Sequence, residues 1–541
     1  MDNSLQNIKQ SIAEKQSFIL EAGAGSGKTW SLVESIKYII DHESQDLAKR
    51  NRKIACITYT NVAANEIIER IDNNPLVNVG TIHNFLWSII GGYTEELKSA
   101  LLEYNDSLPE GKKVPDLRES LKNIRKIEYN QYKRDYLMGQ LWHDDIIILS
   151  KILFDNSKKL ALFTVNEYPY IFVDEYQDTF PQVVDILLKD IYSRFKDKVV
   201  IGFFGDSMQK IYDRGIGKID LTDFPDIKLI TKSDNFRCSK KVIELLNHIR
   251  PELVQYPSGH NAEGEISFYY GNENYPSETI LMEKLKRDGW EFDDNKSKVL
   301  YLTHRKIAIQ GGYENLLNAF PNRDRFFERG DLFSLLLFEI EDVCKSYSDK
   351  NYSTLFDRLK SNGFKIQKHS DKKIVQEYIE KLTEFRRTKT IEEVLDFLLE
   401  NPVQIFQLQD YTFFLANIES PEMEENRKIY FTIKSLPFQE VTNWFNYIEK
   451  NTIYSTKHGV KGTEFDNVLV IVDDSAWRNF SDNEVFSNNR HNINRYDRSR
   501  NLLYVCCSRP KKRLALYSIT PMSTDAQNTI SSWFGSDNVY K

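Results

Sequence analysis

An apolar run, Phe18-Ile19-Leu20, leads straight into Glu21-Ala22-Gly23-Ala24-Gly25-Ser26-Gly27-Lys28-Thr29, and an amphipathic stretch opens at Ser31. This arrangement restricts the possible folds severely. A strand must deliver the chain into a turn of small residues, and a helix must start where the turn ends. Glycines let successive backbone N–H groups curl around an anion, and the helix N-terminus adds its partial positive charge. Lys28 is then placed to reach β- and γ-phosphates, and the Thr29 hydroxyl to hold Mg²⁺. The strict phosphate-loop spacing is missed only at Ala22, where a first glycine is usual. The expected ligand is a nucleoside triphosphate.

Two further strand ends fit the same site. Tyr170-Ile-Phe-Val runs into Asp174-Glu175-Tyr-Gln177-Asp178, placing adjacent carboxylates where a metal and an attacking water would sit. Asp174 is expected to hold the metal through its water shell, and Glu175 to take a proton from the water. Val199-Val-Ile-Gly-Phe-Phe-Gly205 ends in Asp206-Ser-Met-Gln209, so that Gln209 can sense the γ-phosphate. Ile54-Ala-Cys-Ile-Thr58 supplies another buried strand before a helix. Strands alternating with helices predict a parallel α/β sheet, whose ligands bind at the carboxyl ends of the strands.

Composition sets only loose bounds. At 541 residues, 41% hydrophobic and 28% charged, the chain predicts two to four globular domains. It shows neither an uninterrupted membrane-length apolar stretch nor an N-terminal signal pattern. Cys56, Cys238, Cys344, Cys506 and Cys507 form no C-x-x-C pair, so reduced core thiols of a cytoplasmic protein are expected rather than a metal cluster. A formal net charge of −7 leaves any nucleic-acid binding to local grooves.

The order of motifs resembles the UvrD/Rep/PcrA group of superfamily-one helicases from Gln10 to Arg509. Residues 22–29 match its phosphate loop, which accounts for Ala22, and Gln10 matches its adenine-reading glutamine. Thr58-Tyr59-Thr60-Asn61, Gly80-Thr81-Ile-His83 and Asp174-Glu175-Tyr-Gln177-Asp178 follow in family order. Gly205-Asp206-Ser-Met-Gln209-Lys-Ile-Tyr212 and Asn235-Phe236-Arg237 come next. Thr456-Lys-His458-Gly-Val-Lys461-Gly462-Thr-Glu464-Phe465 and Arg500-Asn-Leu-Leu-Tyr504-Val-Cys-Cys-Ser508-Arg509 close the series.

The resemblance implies two RecA-like parallel-sheet motor domains with mainly helical insertions and ATP in the cleft between them. Residues 1–90 and 163–232 would form the first core, and 233–325 with 451–541 the second. Residues 91–162 and 326–450 would be the helical insertions, the latter a reduced regulatory arm. Residues 22–30, Phe236 and Glu464 would contact ATP, with Thr29 and Asp174 on Mg²⁺. Lys28, Glu175 and Gln209 would serve catalysis, joined by Arg237 and Arg509 from the second core as arginine fingers. Thr58, Tyr59, Asn61, Thr81, His83, Tyr212 and His458 would contact DNA, Tyr59 by stacking on a base.

Departures from the family pattern concern coupling more than hydrolysis. Trp30 replaces an adenine-stacking arginine, so Trp30 and Phe236 together could sandwich the base. The aromatic that usually follows Tyr212 is missing from Tyr212-Asp213-Arg214, and Asn501 replaces one of a pair of arginines. In the first insertion, Arg118, Lys122, Arg125, Lys126, Lys133 and Arg134 with Tyr129 and Tyr132 read as a basic helical stretch able to line a strand path. No nuclease signature follows Arg509.

The expected activity is an ATP hydrolase and DNA helicase acting on single-stranded or tailed DNA, 3′ to 5′ by the resemblance. The alternative is a DNA- or nucleotide-sensing ATPase subunit of a larger phage-defence assembly of the Gabija kind, partnered by a nuclease or another defence subunit. No membrane partner is expected.

Overall fold

The computed structural model describes residues 3–541 except 131–132, 362–363, 365, 402 and 404. The chain forms two compact units. The first comprises Met1–Ile266, Asp482–Arg513 and Thr524–Asn538, and the second Ser267–Ser481, Leu514–Ser523 and Val539–Lys541.

The first unit is built on β1 (Phe18–Ala22), β2 (Ile54–Thr58), β3 (Val77–Thr81), β4 (Tyr170–Asp174), β5 (Val200–Gly205) and β6 (Lys228–Lys232). They assemble in the order β3-β2-β4-β5-β1-β6, every neighbouring pair parallel. Strands β1, β2, β4 and β5 are almost wholly buried and apolar, as a parallel sheet covered on both faces requires. Helices α1 (Ser4–Ala13), α2 (Lys28–Lys49), α3 (Asn61–Arg70), α4 (Ile82–Ile90), α5 (His143–Asn156), α6 (Lys240–Ile249) and α7 (Ile493–Cys507) belong to the same unit.

Register decides what meets at the carboxyl edge. Glu21 lies beside Gly205 on one side and Thr231 on the other, while Asp174 lies beside Phe204. The segments leaving β1, β4 and β5 are therefore forced together. Ser17 helps fix this register by accepting the Ile201 amide (2.9 Å) and Lys228 amide (3.0 Å) through its hydroxyl and carbonyl oxygens.

The second sheet comprises β7 (Glu265–Tyr270), β8 (Ser297–Tyr301), β9 (Tyr454–Thr456), β10 (Phe465–Val472), β11 (Pro510–Ser518) and β12 (Val539–Tyr540). Its order is β9-β8-β10-β11-β7-β12, with β8–β9, β8–β10 and β7–β12 parallel. One aromatic-rich core, including Phe326, Phe333, Tyr411 and Trp444, joins these strands to the helices of residues 326–450. The α/β class with parallel sheets expected from the motif spacing is the class observed.

Two sequence expectations need correction. Residues 233–266 and 482–513, with Arg237 and Arg509, group with the first sheet and not with the second core expected to hold them. The Phe236 amide donates to the Gly25 carbonyl (2.9 Å), and Asn501 Nδ2 to the Lys210 carbonyl (3.0 Å), contacts between residues remote in sequence. Among the described residues, the basic stretch of the first insertion is helical over Leu117–Asn123 alone. Beyond it, Glu128–Tyr129 pairs with Gln140–Leu141 because Ile127 and Leu141 are both fully buried there. Tyr132 lies outside the described residues.

Candidate nucleotide and nucleic-acid site

The loop between β1 and α2 is shaped by its glycines. Gly25 and Gly27 adopt left-handed backbone angles, φ +69° and +78°. A Cβ at Gly25 would fall 2.8 Å from Arg237 Cβ and from Asn235 Oδ1, and one at Gly23 would fall 2.2 Å from Gln255 Nε2. Bulkier residues would thus force these neighbours aside. Lys28, first residue of α2, is 8% exposed, and the Ser26 hydroxyl is buried without a hydrogen-bond partner among the described residues. A buried lysine and an unmatched hydroxyl at a helix N-terminus are what a phosphate chain would satisfy.

The acidic strand end faces this loop. Glu175, which follows β4, sits at φ +49°, a costly left-handed angle for a residue with a side chain. The turn directs its carboxylate to 3.9 Å from Lys28 Nζ. Gln177 Nε2 donates to Glu175 Oε2 (2.5 Å), while Gln177 Oε1 accepts the Asp206 amide (3.0 Å). Asp174 is buried, and its Oδ1 accepts the Glu175 amide (3.1 Å). Burial first, and Glu175 second, push the Asp174 carboxyl up to about 7, against a downward pull from Lys28. A divalent cation would relieve that penalty.

The third strand end closes the set. Gln209 Nε2 donates to Asp206 Oδ2 (2.8 Å), and Arg509 Nη2 donates to Gln209 Oε1 (2.9 Å). Arg509 is 1% exposed, and burial and then nearby Arg237 pull it down to about 10. Arg237 Nη1 donates to the Ser508 carbonyl (3.4 Å). These cations lie close together in a dry place, an arrangement that favours a polyanion between or beside them. The donors and carboxylates present fit a nucleoside triphosphate carrying a divalent cation.

Other expected nucleotide contacts vary in position. Trp30 and Phe236, both about half exposed, come within 4.0 Å of a Cβ built on Gly27. Ala22 and Ala24 are buried, and Thr29 is half-buried beside Lys28. Gln10 is exposed on α1 and donates to Glu14 (2.8 Å). Glu464 is exposed just before β10 in the second unit, which also carries half-buried His458 edge-on to Phe480 (5.7 Å).

The expected strand contacts of the first unit follow its sheet edge. Tyr59 and Tyr212 stack on each other, ring centroids 5.9 Å apart and planes 15° from parallel, both rings substantially exposed. Burial raises both phenols, Tyr212 to about 12, so they stay protonated near neutrality. Thr58 is buried and donates to the Thr60 carbonyl (3.0 Å), whereas Asn61 is exposed. Thr81 caps α4 by accepting the Asn84 amide (3.3 Å). His83 packs against His143 (4.8 Å) and Phe180 (6.4 Å). Burial and His143 hold it down to about 4, so its ring is neutral at pH 7.

Sequence reading passed over several neighbours: Glu21, Arg250 and Gln255 around the loop, and His143 behind His83. Their signal is tertiary. Arg250 merely ends α6, and nothing in its local sequence marks it.

Fold and site define a P-loop nucleotide-binding protein with RecA-like parallel sheets. Residues 2–138 and 121–219 match the UvrD/REP helicase N-terminal domain. The chain is 28% identical over 667 aligned positions to Gabija protein GajB of Bacillus cereus (strain HuB5-5), covering 98% of this chain and 97% of that one. It is 26% identical over 395 positions to ATP-dependent DNA helicase PcrA of Staphylococcus aureus, covering 61% of this chain and 53% of the relative. To ATP-dependent DNA helicase Rep of Buchnera aphidicola subsp. Acyrthosiphon pisum it is 26% identical over 287 positions, covering 44% and 43%. The chain thus spans about half of PcrA and nearly all of the Gabija relative. Over its first 219 residues the chain is thus similar to the UvrD-like helicases.

Proposed function

We propose that the chain is an ATP-dependent translocase on single-stranded DNA that moves 3′ to 5′ and separates duplex. The reading is carried by the meeting of Lys28, Asp174, Glu175, Gln209 and Arg509 at the edge of one sheet. The Tyr59–Tyr212 stack lies at the ends of strands in that same sheet. The loop amides and Lys28 would hold the phosphates, and Thr29 and Asp174 the Mg²⁺, which supplies charge neutralisation between phosphate oxygens. Glu175 orients and deprotonates water, its carboxylate steadied by Gln177. Arg509 and Arg237 neutralise charge developing on the transferred phosphoryl group. Tyr59 and Tyr212 offer base-stacking faces that tolerate any sequence. A cytoplasmic site of action belongs to this reading.

The test is ATP turnover with and without single strands, joined to strand displacement on duplexes carrying either a 3′ or a 5′ tail. Stimulated turnover with displacement from the 3′ tail alone is expected. Turnover indifferent to every nucleic acid would overturn the proposal, and displacement from the 5′ tail alone would overturn the polarity.

Similarity across nearly the full length of a Gabija protein favours a second reading, an ATPase subunit of a phage-defence assembly that unwinds little without its partner. Turnover without displacement by the isolated chain, and displacement once a partner is added, would select it.

A further inference from the structure

Arg250 is 4% exposed and sits between two carboxylates. Its Nη2 donates to Glu21 Oε1 (2.6 Å) and its Nη1 to Asp206 Oδ1 (2.7 Å). Glu21 is the β1 residue just before the loop alanine, and it also accepts the Ser207 amide (3.0 Å), the Ser207 hydroxyl (2.6 Å) and the Tyr176 hydroxyl (2.5 Å). Asp206 holds the Gln209 side chain, which in turn receives Arg509. One planar guanidinium therefore spans the base of the phosphate loop and the group that carries the γ-phosphate sensor.

A second set of bonds ties the same guanidinium to the loop itself. Arg250 Nη1 lies 3.5 Å from the Tyr504 hydroxyl. That hydroxyl accepts the Ala24 amide (3.1 Å) and donates to Gln255 Oε1 (3.3 Å), while Gln255 Nε2 donates to the Ala24 carbonyl (2.9 Å). Both polar groups of the Ala24 peptide are thereby held from α7 and from the segment after α6.

We infer that Arg250 is a positioning residue for ATP turnover, a buried strut that sets the phosphate loop in register with Gln209. The inference rests on the ATPase reading. Two carboxylates pointing at one place need a cation between them, and a guanidinium offers separate N–H groups at a fixed spread where an ammonium offers a point charge. Losing the strut leaves Lys28 and the loop amides in place but frees Gln209 to drift from them. A displacement on the order of 1 Å at a reacting centre lowers turnover about 100-fold.

The experiment compares wild type, Lys28→Ala, Arg250→Met and Arg250→Met/Glu21→Gln for kcat, KM, affinity for a fluorescent ADP analogue, and melting temperature. Arg250→Met should lose about 100-fold in kcat while analogue affinity changes little. Its melting temperature should fall below wild type, because two facing carboxylates lose the cation between them. Glu21→Gln in that background removes one of the charges, so melting should recover and turnover should not. If Arg250→Met does not fold, the double variant carries the test. Wild-type turnover in Arg250→Met, or turnover recovering together with melting in the double variant, would overturn the inference. Absence of ATP turnover in wild type would overturn the ATPase reading and this inference with it, whereas normal wild-type turnover abolished in Lys28→Ala leaves only the strut at issue.

Discussion

Exchanging Asp174 for asparagine should stabilise the ligand-free protein while abolishing its turnover. Burial and the neighbouring Glu175 raise the Asp174 carboxyl from 3.8 to about 7. Folding therefore takes up a proton between those values, and stability falls as pH rises through them. A shift of about three units corresponds to about 4 kcal/mol once pH exceeds the folded value. Asparagine keeps the oxygen that accepts the Glu175 amide (3.1 Å) and carries no charge to desolvate. That value already contains the pull of Lys28, so about 4 kcal/mol is expected at pH 8, or roughly 4–6 °C in melting temperature for a chain of this size. At pH 5 the wild-type carboxyl is itself largely protonated, and the advantage should shrink to about 1–2 kcal/mol.

The assay is thermal melting of both proteins in a chelating buffer from pH 5 to pH 8, repeated with Mg²⁺ and a non-hydrolysable ATP analogue. The order should reverse in the second series. A metal needs the ionised carboxylate, so wild type gains stability on binding and Asp174→Asn gains little. Equal melting at pH 5 and pH 8, or a less stable Asp174→Asn at pH 8, would refute the electrostatic reasoning.

Glu175→Gln should keep binding ATP and Mg²⁺ while single-turnover hydrolysis drops about 100-fold or more, as expected when a general base is lost; near-normal hydrolysis would remove Glu175 from that role. Arg509→Ala should lower kcat about 1,000-fold with ADP affinity nearly unchanged, since an arginine finger acts mainly in the transition state; equal losses in both would make it a binding residue. Tyr59→Ala and Tyr212→Ala should each weaken DNA-stimulated turnover more than basal turnover, at about 1–3 kcal/mol per lost stacking face. Fluorescence anisotropy of a labelled oligonucleotide checks the affinity, and equal binding by wild type and both variants would exclude the stack from the strand path.

What the sequence disclosed and what it hid divide along a physical line. Lys28, Asp174 and Gln209 were legible because each stands at a strand end, where apolar runs of about five residues give way to glycine or acid. That grammar is local, and parallel register converts it into proximity. Arg250 has no such grammar; only the closing of α6 onto β1 and β5 gives it meaning. The grouping of residues 233–266 with the first sheet is hidden for the same reason. Asn235 and Phe236 bind the loop at Gly25, more than two hundred residues earlier, and no pattern of hydrophobicity reports a contact of that span. The helix expected through residues 118–134 ends at Asn123, and charge and aromatic content carry no sign of that end or of the burial of Ile127 beyond it.

The missing aromatic after Tyr212 is better understood with its neighbour in view. Asp213 accepts a hydrogen bond from Arg498 (3.1 Å), and Arg214 reaches Asp144 of α5 (3.4 Å), so this turn is anchored by charge on both sides. Tyr212 stacks on Tyr59, and the two planes are close to parallel. A base stacking on either outer face meets a ring already backed by another, which restrains it at little extra conformational cost on binding. The ring beside Tyr212 thus comes from Tyr59, the residue after β2, and not from the next residue along. On the proposed reading, a chain without that neighbouring aromatic keeps a two-ring platform for movement along a strand, and any deficit should fall on duplex separation.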